Sequence, residues 1–204
     1  MAQDQKQEAI IEAAIKRFAH FGVAKTTMTE IATDLSLSKA SLYYYFPDKL
    51  NLYAAVFTTI TSAGADALDA QLAQEPDPFK AIAHFLERRT EFIIKYHNIL
   101  VYLRTFSPTT IPAELQPVFA QLKKRELQRL TLIIDKGVQS GLFHIGDARK
   151  TAELFFDFLE GFRISVLHNS PNFFPDKKQF QSILKKELEF TFIFFNGLTI
   201  PQQN

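Results

Sequence analysis

Between Thr26 and Lys49 the sequence TTMTEIATDLSLSKASLYYYFPDK places three helix starts and one helix stop within a few turns of one another. Thr27 and Glu30 have capping-box spacing just ahead of Ile31, Ala32 and Leu35, which predicts a short helix over about 28–35. Ser38 can accept from a backbone N–H as N-cap of a next helix. That helix must end at Tyr45 or Phe46, because Pro47 disfavours helical geometry in the residue before it. Asp48 then caps a fourth helix. Its stripe of Leu52, Val56, Ile60 and Ala63 predicts a run to about Leu72, where QEPDP interrupts it. Upstream, Ile10, Ile11, Ala14, Ile15, Phe18 and Phe21 recur at three- and four-residue spacing, predicting a first helix over about 5–21 stopped by Gly22.

Two short helices joined by Ser36-Leu37-Ser38 have the dimensions of a helix-turn-helix, whose second helix enters the DNA major groove. With Leu42 at zero and about 100° per residue, Tyr43 falls near 100°, Ala40 near 160°, Tyr44 near 200° and Ser41 near 260°. Leu42 therefore turns inward with Ile31, Leu35, Leu37 and Phe46, and the other four face away. Ala40 and Ser41 are short enough for the backbone to approach base edges. Lys39 can reach guanine or a phosphate, and the tyrosine hydroxyls suit phosphates on the groove walls. Lys49 brings positive charge to a helix start that already favours anions. Tyr45 falls near 300° on the same wheel, within about 60° of the core direction, and is ambiguous by geometry.

Beyond residue 77 the chain changes character, with 17 of its 21 Phe residues there, in long helical patterns separated by SPTTIP, SGLFHIGD and NSPNFFPD. No alternating pattern is long enough for a sheet. The reading is all-α, about nine helices: an N-terminal three-helix helix-turn-helix head over 1–47 and a larger helical body over 48–204. The charged fraction of 22% against 47% hydrophobic suffices for a sizeable core. No apolar run is long enough to span a bilayer and the N-terminus lacks signal-peptide character, so a cytoplasmic protein with no membrane partner is expected. The net charge of +1 does not announce a nucleic-acid binder, and the first 50 residues balance six basic against six acidic groups, so any basic patch is local.

Residues 10–56 closely resemble the TetR family of bacterial transcriptional repressors. The matching framework is Phe18, Phe21-Gly22, Thr26-Thr27, Ile31-Ala32, Leu35, Leu37-Ser38-Lys39, Leu42-Tyr43, Tyr45-Phe46, Lys49 and Leu52. The resemblance implies DNA contacts from Thr27, Thr29, Lys39, Ala40, Ser41, Tyr43, Tyr44, Tyr45 and Lys49. Two positions depart from the family pattern: Ser36 stands where Gly is frequent in the turn, and Tyr45 where His is frequent.

The same resemblance implies that the body dimerises and holds a small-molecule pocket. The stripes over 147–169 and 177–196 match by position the last two helices of the family, which build its dimeric four-helix bundle. They make Leu159, Phe162, Val166, Ile183, Leu184, Leu188 and Phe192 candidate interface residues. Helices over about 79–106, 113–140 and 147–169 offer Phe85, Phe92, Tyr96, Tyr102, Phe106, Phe119, Phe155 and Phe158 as pocket lining, although aromatics at helical spacing also simply fill cores. Few charges fall on these faces, which predicts a hydrophobic or aromatic effector. His97 and Arg104 are either polar recognition groups or surface groups. Lys123, Lys124, Arg125 and Arg129 alternate with Glu126 and Gln128 and read as a solvated helix face.

With no Cys, no paired His spacing, no Gly-rich phosphate loop and no nucleophile elbow, neither an enzyme nor a metal or other cofactor is expected. The alternative reading is a helical hydrophobe-binding protein without DNA activity. The exposed Ser-Lys-Ala-Ser-Tyr face speaks against it.

Overall fold

A computed structural model describes residues 2–106, 110–168 and 177–199; the Pro-bearing stretches 107–109 and 169–176 fall outside them. In chain order the helices are α1 Ala2–Phe21, α2 Met28–Asp34, α3 Lys39–Tyr45, α4 Lys49–Ser62, α5 Ala65–Gln74, α6 Pro78–Lys95, the single turn α7 His97–Leu100, α8 Gln116–Gln139, α9 Ala148–His168 and α10 Lys177–Asn196. A 3-10 turn, Val101–Thr105, follows α7. The described residues contain no strand, only one isolated bridge between Phe143 and Thr199, and the all-α reading holds.

The chain forms two compact units. The first comprises Met1–Ala65 and Lys95–Leu122, the second Asp66–Ile94 and Lys123–Asn204. In the first unit the α1 stripe Ile10, Ala14 and Phe18 is fully buried with Ile31, Leu42, Leu52, Tyr53 and Ile99. Phe21 leaves the stripe and is 53% exposed, its ring against His20 and under the Arg17 guanidinium. In the second unit Leu72, Ile82, Phe85, Leu130, Ile133, Phe143, Phe155, Leu159 and Phe195 form the core. Gly137 in α8 lies against the Phe143 ring; a Cβ there would sit 2.1 Å from a ring carbon, so no larger residue fits without moving the ring.

Two expected helices are divided. The helix from Lys49 does not reach Leu72: it stops at Ser62, Ala63 turns to extended ψ, and Gly64 takes φ +74°. Left-handed backbone costs glycine nothing and ends helices for that reason. The last turns also contain Thr58, Thr59 and Thr61, whose hydroxyls donate to the carbonyls of Ala54, Ala55 and Phe57, a back-bonding that weakens a helix. The segment expected as one helix over 79–106 ends at Lys95 and resumes as α7 and the 3-10 turn. Its second part joins the first unit. There the Asn98 amide donates to the Ala19 carbonyl at 2.7 Å, supplying a partner for the C-terminal turn of α1.

Candidate nucleic-acid interface

The caps foreseen in the head are all present. The Thr27 hydroxyl accepts from the Glu30 N–H at 3.2 Å while the Glu30 carboxylate accepts from the Thr27 N–H at 2.7 Å, closing the capping box of α2. These bonds to Thr27, backbone first, hold the Glu30 carboxyl below the usual range. Ser38 accepts from the Ser41 N–H at 3.0 Å at the start of α3, and Asp48 accepts from the Asn51 N–H at 2.8 Å at the start of α4. The Arg17 guanidinium grips both oxygens of Asp34 and approaches Glu30 at 3.5 Å, fastening α1 to α2.

The turn between α2 and α3 closes as a Schellman motif: the Leu37 N–H donates to the Ala32 carbonyl at 2.9 Å and the Ser36 N–H to that of Thr33 at 3.0 Å. That geometry puts Ser36 at φ 53°, the one non-glycine residue with positive φ among the described residues. Ser36 thus takes the left-handed backbone that Gly adopts freely, at a cost of about 1 kcal/mol.

On α3 the wheel reading holds. Leu42 is wholly buried and Phe46 nearly so, while Lys39, Ala40, Tyr43 and Tyr44 are exposed and Ser41 and Tyr45 half-buried. The Lys39 ammonium lies 5.7 Å from the Tyr43 ring centroid, one turn along the same face. Tyr44 is 72% exposed; its ring meets Tyr45 edge-on, and its hydroxyl accepts from the Gln3 amide at 3.4 Å, bringing the start of α1 beside the recognition face. Thr27 and Thr29 are exposed at the start of α2. Lys49 is placed differently: its ammonium donates to the carbonyls of Val23, Ala24 and Thr26, so its three N–H groups are directed into the chain rather than outward.

The candidate pocket residues divide between the units. In the first, Tyr102 meets Tyr53 edge-on at 4.9 Å and Phe106 at 5.3 Å, Phe119 meets Phe57 at 5.4 Å, and Tyr96 is half-buried. In the second, Phe85 and Phe155 lie in the core, Phe92 is half-buried, and Phe158 is 46% exposed. Of the candidate interface residues, Leu159 and Ile183 face the chain's own core; Phe162, Val166, Leu184 and Leu188 are half-buried, and Phe192 is 63% exposed. An exposed apolar row runs through Leu154 and Phe158 on α9, where Phe162 one turn on and Phe190 of α10 stack on Phe158.

The profile of "Bacterial regulatory proteins, tetR family" matches residues 10–56, from the middle of α1 into α4. The uncharacterized HTH-type regulator YhgD of Bacillus subtilis is 26% identical over 156 residues, 74% of this chain and 78% of that one. RutR of Escherichia coli is 34% identical over 90 residues, 44% of this chain and 42% of that protein. A solved transcriptional regulator from Cytophaga hutchinsonii superposes with a TM-score of 0.82 at 30% identity, over 96% of this chain and 99% of that one. The chain belongs to the TetR family. It is a DNA-binding transcriptional regulator of the helix-turn-helix type, in a family whose members typically dimerise and bind ligands.

What sequence reasoning missed in this TetR-family regulator is ionic. Arg129 is not on a solvated face: it is buried and donates to Asp69 at 2.6 Å and Glu126 at 2.8 Å, while Lys123 and Lys124 are exposed as expected. Arg163 of α9 makes a two-pronged pair with the fully buried Glu187 of α10, at 3.0 and 2.7 Å, and reaches the Thr90 hydroxyl at 3.5 Å. Arg89 of α6 pairs with Glu160 and lies 3.5 Å from Glu126. Burial, and then the charge of Arg163, push the Arg89 guanidinium down to about 10. The available signal is the occurrence of charges within apolar stripes, at 163 and 187, where the core-facing side of an amphipathic helix ordinarily carries none.

Because the Lys49 ammonium serves three carbonyls, Lys49→Ala is expected to lower stability by about 1.5–3 kcal/mol, the range for hydrogen bonds to a charged group. Urea unfolding at fixed protein concentration measures it. A stability equal to that of the wild type would show that these bonds carry nothing.

Proposed function

We propose that this regulator is a cytoplasmic homodimeric repressor that occupies a palindromic operator when empty and leaves it when a hydrophobic small molecule binds. The observation that carries the DNA contact is the face of α3. Lys39, Ala40, Tyr43 and Tyr44 are open, while Leu42 and Phe46 anchor the helix from behind. All proposed direct contacts fall within residues 27–45, which supports a functional division at 47/48. Ala40 and Ser41 meet base edges, Lys39 a guanine or phosphate, and Thr27, Thr29, Tyr43, Tyr44 and Tyr45 the phosphate walls. Lys49 contributes indirectly, by holding the 23–26 turn that sets the position of Thr27 and Thr29.

One two-turn helix makes few contacts, and a twofold pair reads two half-sites about 34–36 Å apart. The second copy is proposed to sit on the Leu154, Phe158 and Phe162 row. For release, α4 is the lever. The Tyr53 hydroxyl of this helix donates to the Ile99 carbonyl at 3.1 Å, and its Tyr53 and Phe57 rings pack on Tyr102 and Phe119. Ligand uptake in the body that shifts those aromatics moves α4 and with it the half-site spacing; release follows if the ligand prefers the non-binding spacing.

Operator fragments selected from the source genome, followed by fluorescence anisotropy, test the reading. Lys39→Ala is expected to weaken operator binding by about 1–3 kcal/mol and, with Ser41→Ala, to relax base preference at one position per half-site. Unchanged base preference in both variants would remove α3 from the bases. Tighter operator binding on adding ligand would overturn derepression.

A further inference from the structure

The second unit holds two arginines that each have one terminal nitrogen, Nη1, without a partner. Arg163 uses Nε and Nη2 on Glu187 and directs Nη2 also toward Thr90, which leaves Nη1 shut off from solvent and unbonded. Arg89 uses Nη2 on Glu160 and has Nε near Glu126; its Nη1 is likewise buried and unbonded. Arg163 is 7% exposed and the Arg89 side chain 15%. The two stand on facing positions of α6 and α9, linked through Thr90, the residue after Arg89. Buried donors on cations are among the groups a fold least tolerates without an acceptor.

Arg89, Arg129 and Arg163 are buried or nearly so, against two buried carboxylates, Glu126 and Glu187. The other two acids of the cluster, Asp69 and Glu160, are 40% and 39% exposed and pair with Arg129 and Arg89 from its edge, so what the interior lacks is acceptors at the two Nη1 atoms rather than negative charge. The surroundings are apolar: the Phe156 ring lies 5.8 Å from the Arg89 guanidinium carbon, with Phe85 and Phe155 in the adjoining core.

We propose that the Nη1 groups of Arg89 and Arg163 form the binding site for the carboxylate of an apolar organic acid. A carboxylate has two oxygens, one for each Nη1, and supplies the acceptors that the helices do not; the apolar remainder of the molecule lies among the phenylalanines. A neutral hydrophobe leaves both donors unmet, so the site discriminates acid from amide. This assignment rests on the ligand-responsive reading above, and narrows its effector from any hydrophobe to one carrying a carboxylate.

The test titrates the full-length protein with acetate, benzoate and octanoate, each against its neutral amide, by calorimetry and thermal melting. At least one acid is expected to bind about ten-fold or more tightly than its amide. Arg89→Lys, which keeps the charge but shortens the donor, is expected to abolish that preference, whereas the exposed Lys124→Ala keeps it. If every acid binds no better than its amide to the wild-type protein, the donors are met by water and the site does not exist, a result that needs no variant. Operator release is read in the same samples. Acid binding without release would leave the site standing and end its role as the effector site; release by amide and acid alike would keep the effector reading and overturn the carboxylate site.

Discussion

Glu187→Ala is expected to lower the stability of the folded protein by about 3–5 kcal/mol, the usual cost of leaving one member of a buried ion pair without the other. Glu187 is fully buried in α10, and both its oxygens accept from Arg163. Removing the carboxylate leaves a guanidinium that cannot reach water, with the Thr90 hydroxyl as its remaining partner. The partner deletion separates the value of the pair from the penalty of the orphan. Glu187→Met with Arg163→Met removes both charges and is expected to recover most of the loss, because well-packed apolar replacements of buried pairs are often neutral. Urea unfolding of both single variants and the double variant measures the coupling. Additive losses would mean that the two side chains act independently.

Phe158→Glu is expected to raise the dissociation constant of the proposed homodimer by about 100-fold or more and to weaken operator binding in parallel. Phe158 is 46% exposed and stacked on Phe162 and Phe190, so the substitution leaves the chain's own core intact. In a twofold interface the same residue recurs on both sides, so one substitution brings two carboxylates into an apolar patch, at several kcal/mol. Analytical ultracentrifugation gives the dimer constant. A variant that remains dimeric at wild-type concentrations would move the interface off this row. Leu159 and Ile183, packed into the chain's own core, serve as the contrast: Leu159→Ala is expected to act mainly on stability.

The contrast between those two sets of residues shows where a sequence stops being legible. The head could be read almost residue by residue because its signals are local. Thr27 and Glu30, Ser38 and Ser41, Asp48 and Asn51 each meet three positions apart, and the wheel separates Leu42 from Ala40 and Tyr44 within two turns. In α9 the apolar residues encircle the helix. Leu154 and Phe158 face outward while Phe155 and Leu159 face inward, and periodicity cannot say which side meets the chain and which is left for a partner. The ionic interior was hidden for a related reason: Arg89 meets Glu160 across 71 positions and Arg163 meets Glu187 across 24, so no local pattern pairs them. The division at Gly64 was legible in principle, since a glycine stands in the sequence there. The unbroken stripe of Leu52, Val56, Ile60 and Ala63 outweighed it.

The makeup of the first unit has a consequence for how the protein is made. Ile99, in the segment Lys95–Leu122, receives the Tyr53 hydroxyl and is buried with α1 and α4, although 29 residues of the second unit, Asp66–Ile94, come between. On the ribosome, chains mature from the N-terminus outward, domain by domain. Here the emerging head has its own turns and caps early, yet its core stays open until Leu122 has cleared the exit tunnel. Chains that stop short of that point lack the buried Ile99 and the Tyr53 bond, and are expected to hold the DNA-facing helices less firmly than the finished protein.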